Sequence, residues 1–330
     1  MDFTSITTAL SSLSIIDIVG FVLATTAVRL ALIKMQGAAA RAIVEIVEAA
    51  LIAGVLVFLI IQPFFVKAFY IPSGSMRPGL IDNDHILVNR LVYRLHGPEH
   101  NNIVVFKAPP IAIQTGGEPA GSDEDYIKRL IGLPGDTIQV VGGTITIDGY
   151  IYTHNDVRPK YGLLGGFGTE DAISRDQQHL KFLNDGIDVF DGTKWTKYPA
   201  SDVARRLNGS ANADIKISPG YVIRNGKPLY EPYIAEDPDY NMKLLQDGDV
   251  LTTAAGGGGT RLNGELLTAD QIAQFHDSPL GKIPHGEVIV MGDNRNDSND
   301  STCWGPLSED RLVGRAVFLF YPFNRIRVLR

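Results

Sequence analysis

Two serines separated by one glycine, in "YIPSGSMRPGL" (residues 70–80), and a lysine set among apolar residues, in "DYIKRLIGLPGD" (125–136), are groups that could do chemistry together. Pro72 biases Ile71 toward extended backbone and Gly74 permits a tight turn between Ser73 and Ser75, so one hydroxyl can be presented. Taken alone, the stretch has equally the composition of an inert linker. Lys128 lies between Tyr126–Ile127 and Leu130–Ile131, so a strand can point its amine into an apolar site; alone, it reads equally as a solvated lysine beside Arg129. Lowering a lysine pKa from about 10.4 to near 7 takes roughly 4–5 kcal/mol, which burial supplies and exposure does not. A neutral amine can accept a serine proton, and the chemistry is then acyl transfer.

A third polar stretch, "VIVMGDNRNDSNDSTCWGPL" (288–307), can hold its Asp and Asn side chains in successive Asx turns after a buried strand. It fits a calcium loop poorly: Arg295 interrupts it, and the glycine and distal glutamate of an EF-hand are missing. Cys303 is the single cysteine, which excludes an intramolecular disulfide and reads as a core thiol. His85, His96, His154 and His285 carry no ordered motif and read as surface or turn residues. No serine lies three residues before a lysine, and no Gly-x-Ser-x-Gly elbow occurs, so two common hydrolase arrangements are absent.

The elements that must position these groups follow from hydropathy. Residues 49–66 are uncharged and apolar, the signature of a transmembrane helix, and 9–28 read as a second span despite Asp17. Arg29, Lys34 and Arg41 between them put the short loop in the cytoplasm and the rest of the chain outside. From about residue 82 short β-rich runs separated by Gly, Pro, Asn and Asp predict a mainly β, antiparallel catalytic domain. "VVGGTITIDG" reads as a hairpin through Gly142 and Gly143, and "RNGK" (224–227) as another. The expected organisation is a membrane region over 1–66, a catalytic β-domain beginning at 67–148, an insertion over 149–215, and a return over 216–330. A net charge of −7 gives no electrostatic case for a nucleic-acid partner.

Three stretches in order, "IPSGSMRPGL", "YIKRLIGLPGD" and "MGDNRNDSNDS", followed by "LVGRA" (312–316), resemble the successive motifs of bacterial type I signal peptidases. The resemblance covers about 43–147 and 217–320. It implies a serine endopeptidase of the cytoplasmic membrane, catalytic domain on its outer face, in contact with lipid, that removes signal peptides from secreted preproteins without metal or cofactor.

Carried over residue by residue, it makes Ser75 the nucleophile and Lys128 the general base, with Ser73 and the Ser75 amide forming the oxyanion hole. Ser298 would orient the lysine and Asp300 support it. Phe69, Ile71, Ile86, Val105 and Ile127 would line the substrate subsites, with Met76, Leu80 and Tyr126 nearer the cut, favouring small residues at the first and third positions before it. One position departs from the family pattern: the arginine expected two residues after Asp300 is Thr302, which puts the Asp–Arg ion pair in doubt and leaves Arg295 as a substitute to be tested. The rival class is a membrane-anchored β-domain that binds peptides without cutting them.

Overall fold

The computed structural model describes residues 20, 23, 25–27, 30, 38–55, 66–116, 123–163, 178–254, 259–275 and 277–329. The chain divides into two compact units, one formed by residues 1–71, 83–97 and 314–330 and the other by 72–82 and 98–313.

In the first unit, antiparallel strands Val66–Tyr70, His85–Asn89 and Leu312–Tyr321 lie side by side, and Arg327–Val328 adds to the last of them. Asp84, fully buried, accepts from both Arg325 Nε (2.9 Å) and Nη2 (3.0 Å), a forked geometry that suits a carboxylate taken out of water. His85 is buried rather than on the surface, edge-on to Tyr70, Phe320 and Tyr321. Its pKa falls because burial disfavours the cation, and nearby Asp84 only partly offsets this.

The second unit contains the serine and lysine stretches. Strands Ile103–Lys107, Asp125–Gly132, Glu287–Met291 and Leu307–Ser308 pair antiparallel in that order. A seven-stranded sheet built from residues 138–266 contributes Ile138, Val140, Val222, Met242 and Leu244 to one apolar cluster, which Ile131, Ile289 and Met291 of the first sheet complete. The strand Asp125–Gly132 is buried at every residue from Ile127 onward. Side chains alternate across a strand, so continuous burial means that both faces are covered.

The region expected as an insertion has its own sheet, His179–Leu183, Gly186–Phe190 and Trp195–Pro199, and a helix, Ala200–Asn208. Its core joins Leu180, Phe182, Ile187 and Val203 to Ile145, Ile147 and Ile217 of the strands Thr144–Ile147 and Ile215–Ser218. Beside that core, Asp237 accepts from Phe182 N (2.8 Å), Gly220 N (2.7 Å) and the buried His154 ring (3.1 Å). His154 is thus a core residue, stacked on Phe182, while His96 and His285 are exposed as expected.

Three expectations are corrected. Among the described residues no helix is long and apolar enough to cross a membrane. The longest of them, Ala38–Val55, starts at Ala38 rather than 49 and takes Arg41, Glu45 and Glu48 into its length; Val66 already opens a strand. Charges inside a span cost about 2.5–3.5 kcal/mol each. Among the described residues the fold class is therefore antiparallel β with no membrane-crossing helix, which corrects the spans read over 9–28 and 49–66 and the placement in the cytoplasmic membrane that rested on them. Residues 56–65 and most of 9–28 lie outside the described residues.

The hairpin through Gly142–Gly143 is also corrected, because Ile138–Val141 and Thr144–Ile147 enter different sheets. A Cβ on Gly143 would stand 2.3 Å from Asp237 Oδ2, and one on Gly142 would stand 3.0 Å from the Tyr240 carbonyl, so the glycines serve a close crossing. "RNGK" does form its hairpin, with Asn225 and Gly226 both at positive φ. The third correction is the burial of His85 and His154.

Burial opposes a charge on His154, but the Asp237, Asp239 and Glu236 carboxylates outweigh it and raise its pKa above the ordinary 6.5. The raised value means that the folded protein holds this proton more tightly than the unfolded chain. The stabilisation is therefore complete below about pH 6.5 and is lost as pH rises through the folded value. Urea unfolding of Asp237→Ala is expected to show a loss of roughly 3 kcal/mol, since three buried donors lose their acceptor. The loss should shrink as pH rises above 6.5; a loss below about 1 kcal/mol, or one independent of pH, counts against this account.

Candidate active site

Ser75 sits in a single 3-10 turn, Gly74–Met76, which is buried throughout. Ser73, just before it, is extended, and Arg77 N donates to Gly74 O (3.0 Å) to close the turn. The turn is held from outside by one residue of the 288–307 stretch: Asn294 N donates to Ser75 O (3.0 Å) and Asn294 Nδ2 to Gly74 O (3.3 Å). Gly292 makes that approach possible. A Cβ there would stand 2.5 Å from Ser75 O and 2.3 Å from Ser298 Oγ.

Lys128 projects from the doubly covered strand and is 4 % exposed. Its Nζ lies 2.8 Å from Ser75 Oγ and donates to Ile127 O (3.0 Å). Burial lowers its pKa to about 8, against the opposing pull of nearby acidic groups, Asp300 the largest of them. Protonated, the amine donates to Ser75 Oγ; once neutral, it has a lone pair that can accept the Ser75 proton across the same separation. Ser73 Oγ stands 3.5 Å from Ser75 Oγ on the same cavity.

That cavity, of about 470 Å³, is lined among others by Ser73, Ser75, Tyr126, Ile127, Lys128, Asp297 and Asn299. Of the residues expected to line subsites, it takes in Tyr126 and Ile127. Val105, the register partner of Ile127, is buried, as are Met76 and Leu80, and none of the three lines it. In the other unit Ile71 and Ile86 are buried and Phe69 is half-buried as the partner of Ile86.

Ser298 Oγ is buried with no hydrogen-bond partner among the described residues, so the bond expected between it and the lysine amine is not formed. Asp300 caps the helix Ser301–Trp304, where its carboxylate accepts from Thr302 N (3.0 Å), Thr302 Oγ1 (2.8 Å) and Gly292 N (2.8 Å). Thr302 thus binds the carboxylate itself with its hydroxyl and amide. Arg295 does not substitute for the expected arginine: it forks onto Glu231 (2.7 and 3.0 Å) and donates to Gly292 O.

Sequence reasoning missed Arg129 as a structural partner. Its Nε and Nη2 reach the two Asp293 oxygens at 2.7 and 2.6 Å, tying the residue beside Lys128 to the residue beside Asn294. Both lie inside the quoted motifs, but their pairing has no local signal. Glu231 has none either. Cys303 is half-buried, its Sγ donating to Ser298 O at 3.7 Å, and burial raises its pKa. Among the described residues no group of His, Cys, Asp and Glu could hold a metal ion.

With this geometry in view, the family described as "Signal peptidase, peptidase S26" matches residues 43–196 and 186–321. A Synechocystis protein named "Probable signal peptidase I-1" is 26% identical over 275 residues, 83% of this chain and 81% of its own. "Signal peptidase I" of Leptolyngbya laminosa is 26% identical over 266 residues, 81% and 74% of the two chains. "Signal peptidase IB" of Staphylococcus aureus (strain COL) is 25% identical over 287 residues, 87% and 94%.

The lowered Lys128 pKa makes a stability prediction independent of any activity. The folded protein binds this proton less well than the unfolded chain, so burial of the lysine costs about 3 kcal/mol below pH 8 and progressively less up to about pH 10.5. Lys128→Met should accordingly raise the urea midpoint at pH 7, and the gain over the unaltered protein should narrow as pH approaches 10. A substitution that destabilises equally at both pH values would refute the burial cost.

Proposed function

This chain belongs to the signal peptidase S26 family, serine endopeptidases acting on exported preproteins, and we propose that it cuts them with Ser75 as nucleophile and Lys128 as general base. The observation that carries this reading is the 2.8 Å separation between a buried lysine amine and a serine hydroxyl, open to a cavity of about 470 Å³. Neutral Lys128 takes the Ser75 proton as Oγ attacks the carbonyl carbon of the scissile bond. The Ser73 hydroxyl and the Ser75 amide donate to the oxygen that becomes negative. When the tetrahedral species collapses, the Lys128 ammonium returns its proton to the departing amine. A water molecule then attacks the acyl-enzyme, gives its proton to Lys128, and the Ser75 oxygen leaves as the hydroxyl.

The residues before the cut are assigned to the side of the cavity formed by Tyr126 and Ile127. A small side chain at the first and third positions fits a wall already occupied by a phenol and a branched aliphatic chain, and a bulky one would hold the carbonyl away from Ser75 Oγ. Asp300 acts by holding Gly292 N, which keeps the glycine against Ser75 O. The rival reading, a peptide-binding domain without catalysis, drew on Thr302; the bonds of Thr302 to Asp300 remove that motive.

Cleavage of an intact preprotein, followed by sequencing of the new amino terminus, tests the assignment. Ser75→Ala and Lys128→Ala are each expected to lower kcat/KM by about 10³-fold or more, and Ser73→Ala by roughly 10- to 10³-fold. In the unaltered protein kcat/KM should rise about tenfold per pH unit below 8 and level off above it, because only the neutral amine accepts the proton. Undiminished cleavage by either dyad variant would remove that residue from its role.

A further inference from the structure

A second cavity, of about 420 Å³, is lined by Pro78, His179, Phe190, Trp195 and Ile234, and nothing in the reaction above uses it. We propose that it binds the substrate on the mature side of the cut, taking a large apolar or aromatic side chain about three or four residues beyond the scissile bond. The inference rests on the proposed function, which supplies the chain direction.

Pro78 follows Ser75 by three residues, so its Cα is at most roughly 11 Å from that of Ser75. An extended peptide advancing about 3.3 Å per residue covers that distance in three or four residues. Residues before the cut are assigned to the Tyr126–Ile127 side, with Ser73; those after it then leave past Ser75 toward Pro78.

The floor is preformed. Pro78 bridges to Ile234, and Ala235 N donates to Asp293 O (3.3 Å), so the cavity is built on the same loop that holds the Ser75 turn. His179 is fixed by Glu236 at 3.4 Å. Three rings form one wall, His179 stacked with Phe190 and Trp195 at centroid distances of 5.8 and 6.2 Å, and Phe190 against Trp195 at 5.4 Å. Trp195 is nevertheless 49 % exposed, an indole face that an incoming apolar side chain could cover.

Asp188 also lines the cavity, and its Oδ1 is buried with no hydrogen-bond partner among the described residues. Buried acceptors are normally satisfied, and a peptide N–H entering the cavity would supply the donor.

Two peptide substrates distinguish the outcomes: one with six residues after the cut, phenylalanine at the fourth, and the same peptide ending at the second. Trp195→Ala is expected to lower kcat/KM about tenfold on the long peptide and less than twofold on the short one, with Trp195→Phe recovering most of the loss. An equal effect on both peptides, or none on either, overturns the proposal. If the unaltered protein cuts neither peptide, the proposed function fails separately. Fluorescence titration with the mature-side hexapeptide alone then decides the cavity: saturable quenching lost in Trp195→Ala upholds binding there, and no quenching overturns it.

Discussion

Everything at this site depends on keeping one amine out of water while leaving it 2.8 Å from a hydroxyl. An ammonium ion in bulk water is too well solvated to release its proton near neutral pH; one enclosed by protein is not. The enclosure is a property of the strand Asp125–Gly132, covered on both faces, and so of the two packed sheets. A surface strand would present the same lysine to solvent and forfeit the effect. The stability that the fold gives up in burying Lys128 is the physical source of its neutral amine near neutral pH, a trade found where sites hold a group in a state the free chain would not.

The loop after Met291 supplies the second half of the constraint through how its charges are matched. Asp293 is forked by Arg129 and Arg295 by Glu231, so these buried ions meet opposite charges in good geometry and act mainly to hold backbone. Asp300 is different. The partners of its carboxylate, Thr302 and the Gly292 amide, are neutral, and Asp300 is the largest influence raising the Lys128 pKa against burial. A guanidinium at position 302 would hold the carboxylate equally well while cancelling that influence. The threonine therefore preserves the loop's shape while leaving Lys128 harder to deprotonate than such a pair would.

The site was legible in the sequence where chemistry is local. Ser73, Ser75 and Lys128 sit in short stretches whose residue types constrain the backbone at once, and they meet on one cavity. What was not legible depends on partners distant in the chain. Nothing near Arg295 says that it pairs with Glu231, and nothing near Arg129 says that it forks onto Asp293. The antiparallel β character followed from short β-rich runs separated by turn residues, but strand pairing did not, and Gly142–Gly143 misled because a glycine pair marks a close crossing as well as a turn. The membrane reading failed for a related reason: hydropathy reported an uncharged stretch but not where the helix begins, and starting at Ala38 changes which charges the helix contains.

The region between residues 149 and 215 is more than an appendage on linkers, because its polar core is shared with the loop that holds the Ser75 turn. Asn296 Nδ2 donates to Glu236 Oε2 (3.2 Å) and Asp237 O (3.0 Å), and its Oδ1 accepts from Asp239 N (2.9 Å). Glu236 in turn accepts from Arg158 (3.3 Å), and Asp237 from Phe182 N. These groups are buried, so breaking any one link strands a charge or a donor away from water, which costs far more than separating two apolar surfaces of similar size. Asn296 is two residues from Asn294, which holds the Ser75 turn, and two from Ser298. A displacement of the sheet containing His179–Leu183 and Gly186–Phe190 would therefore be transmitted to the loop that holds the Ser75 turn unless that network gave way first.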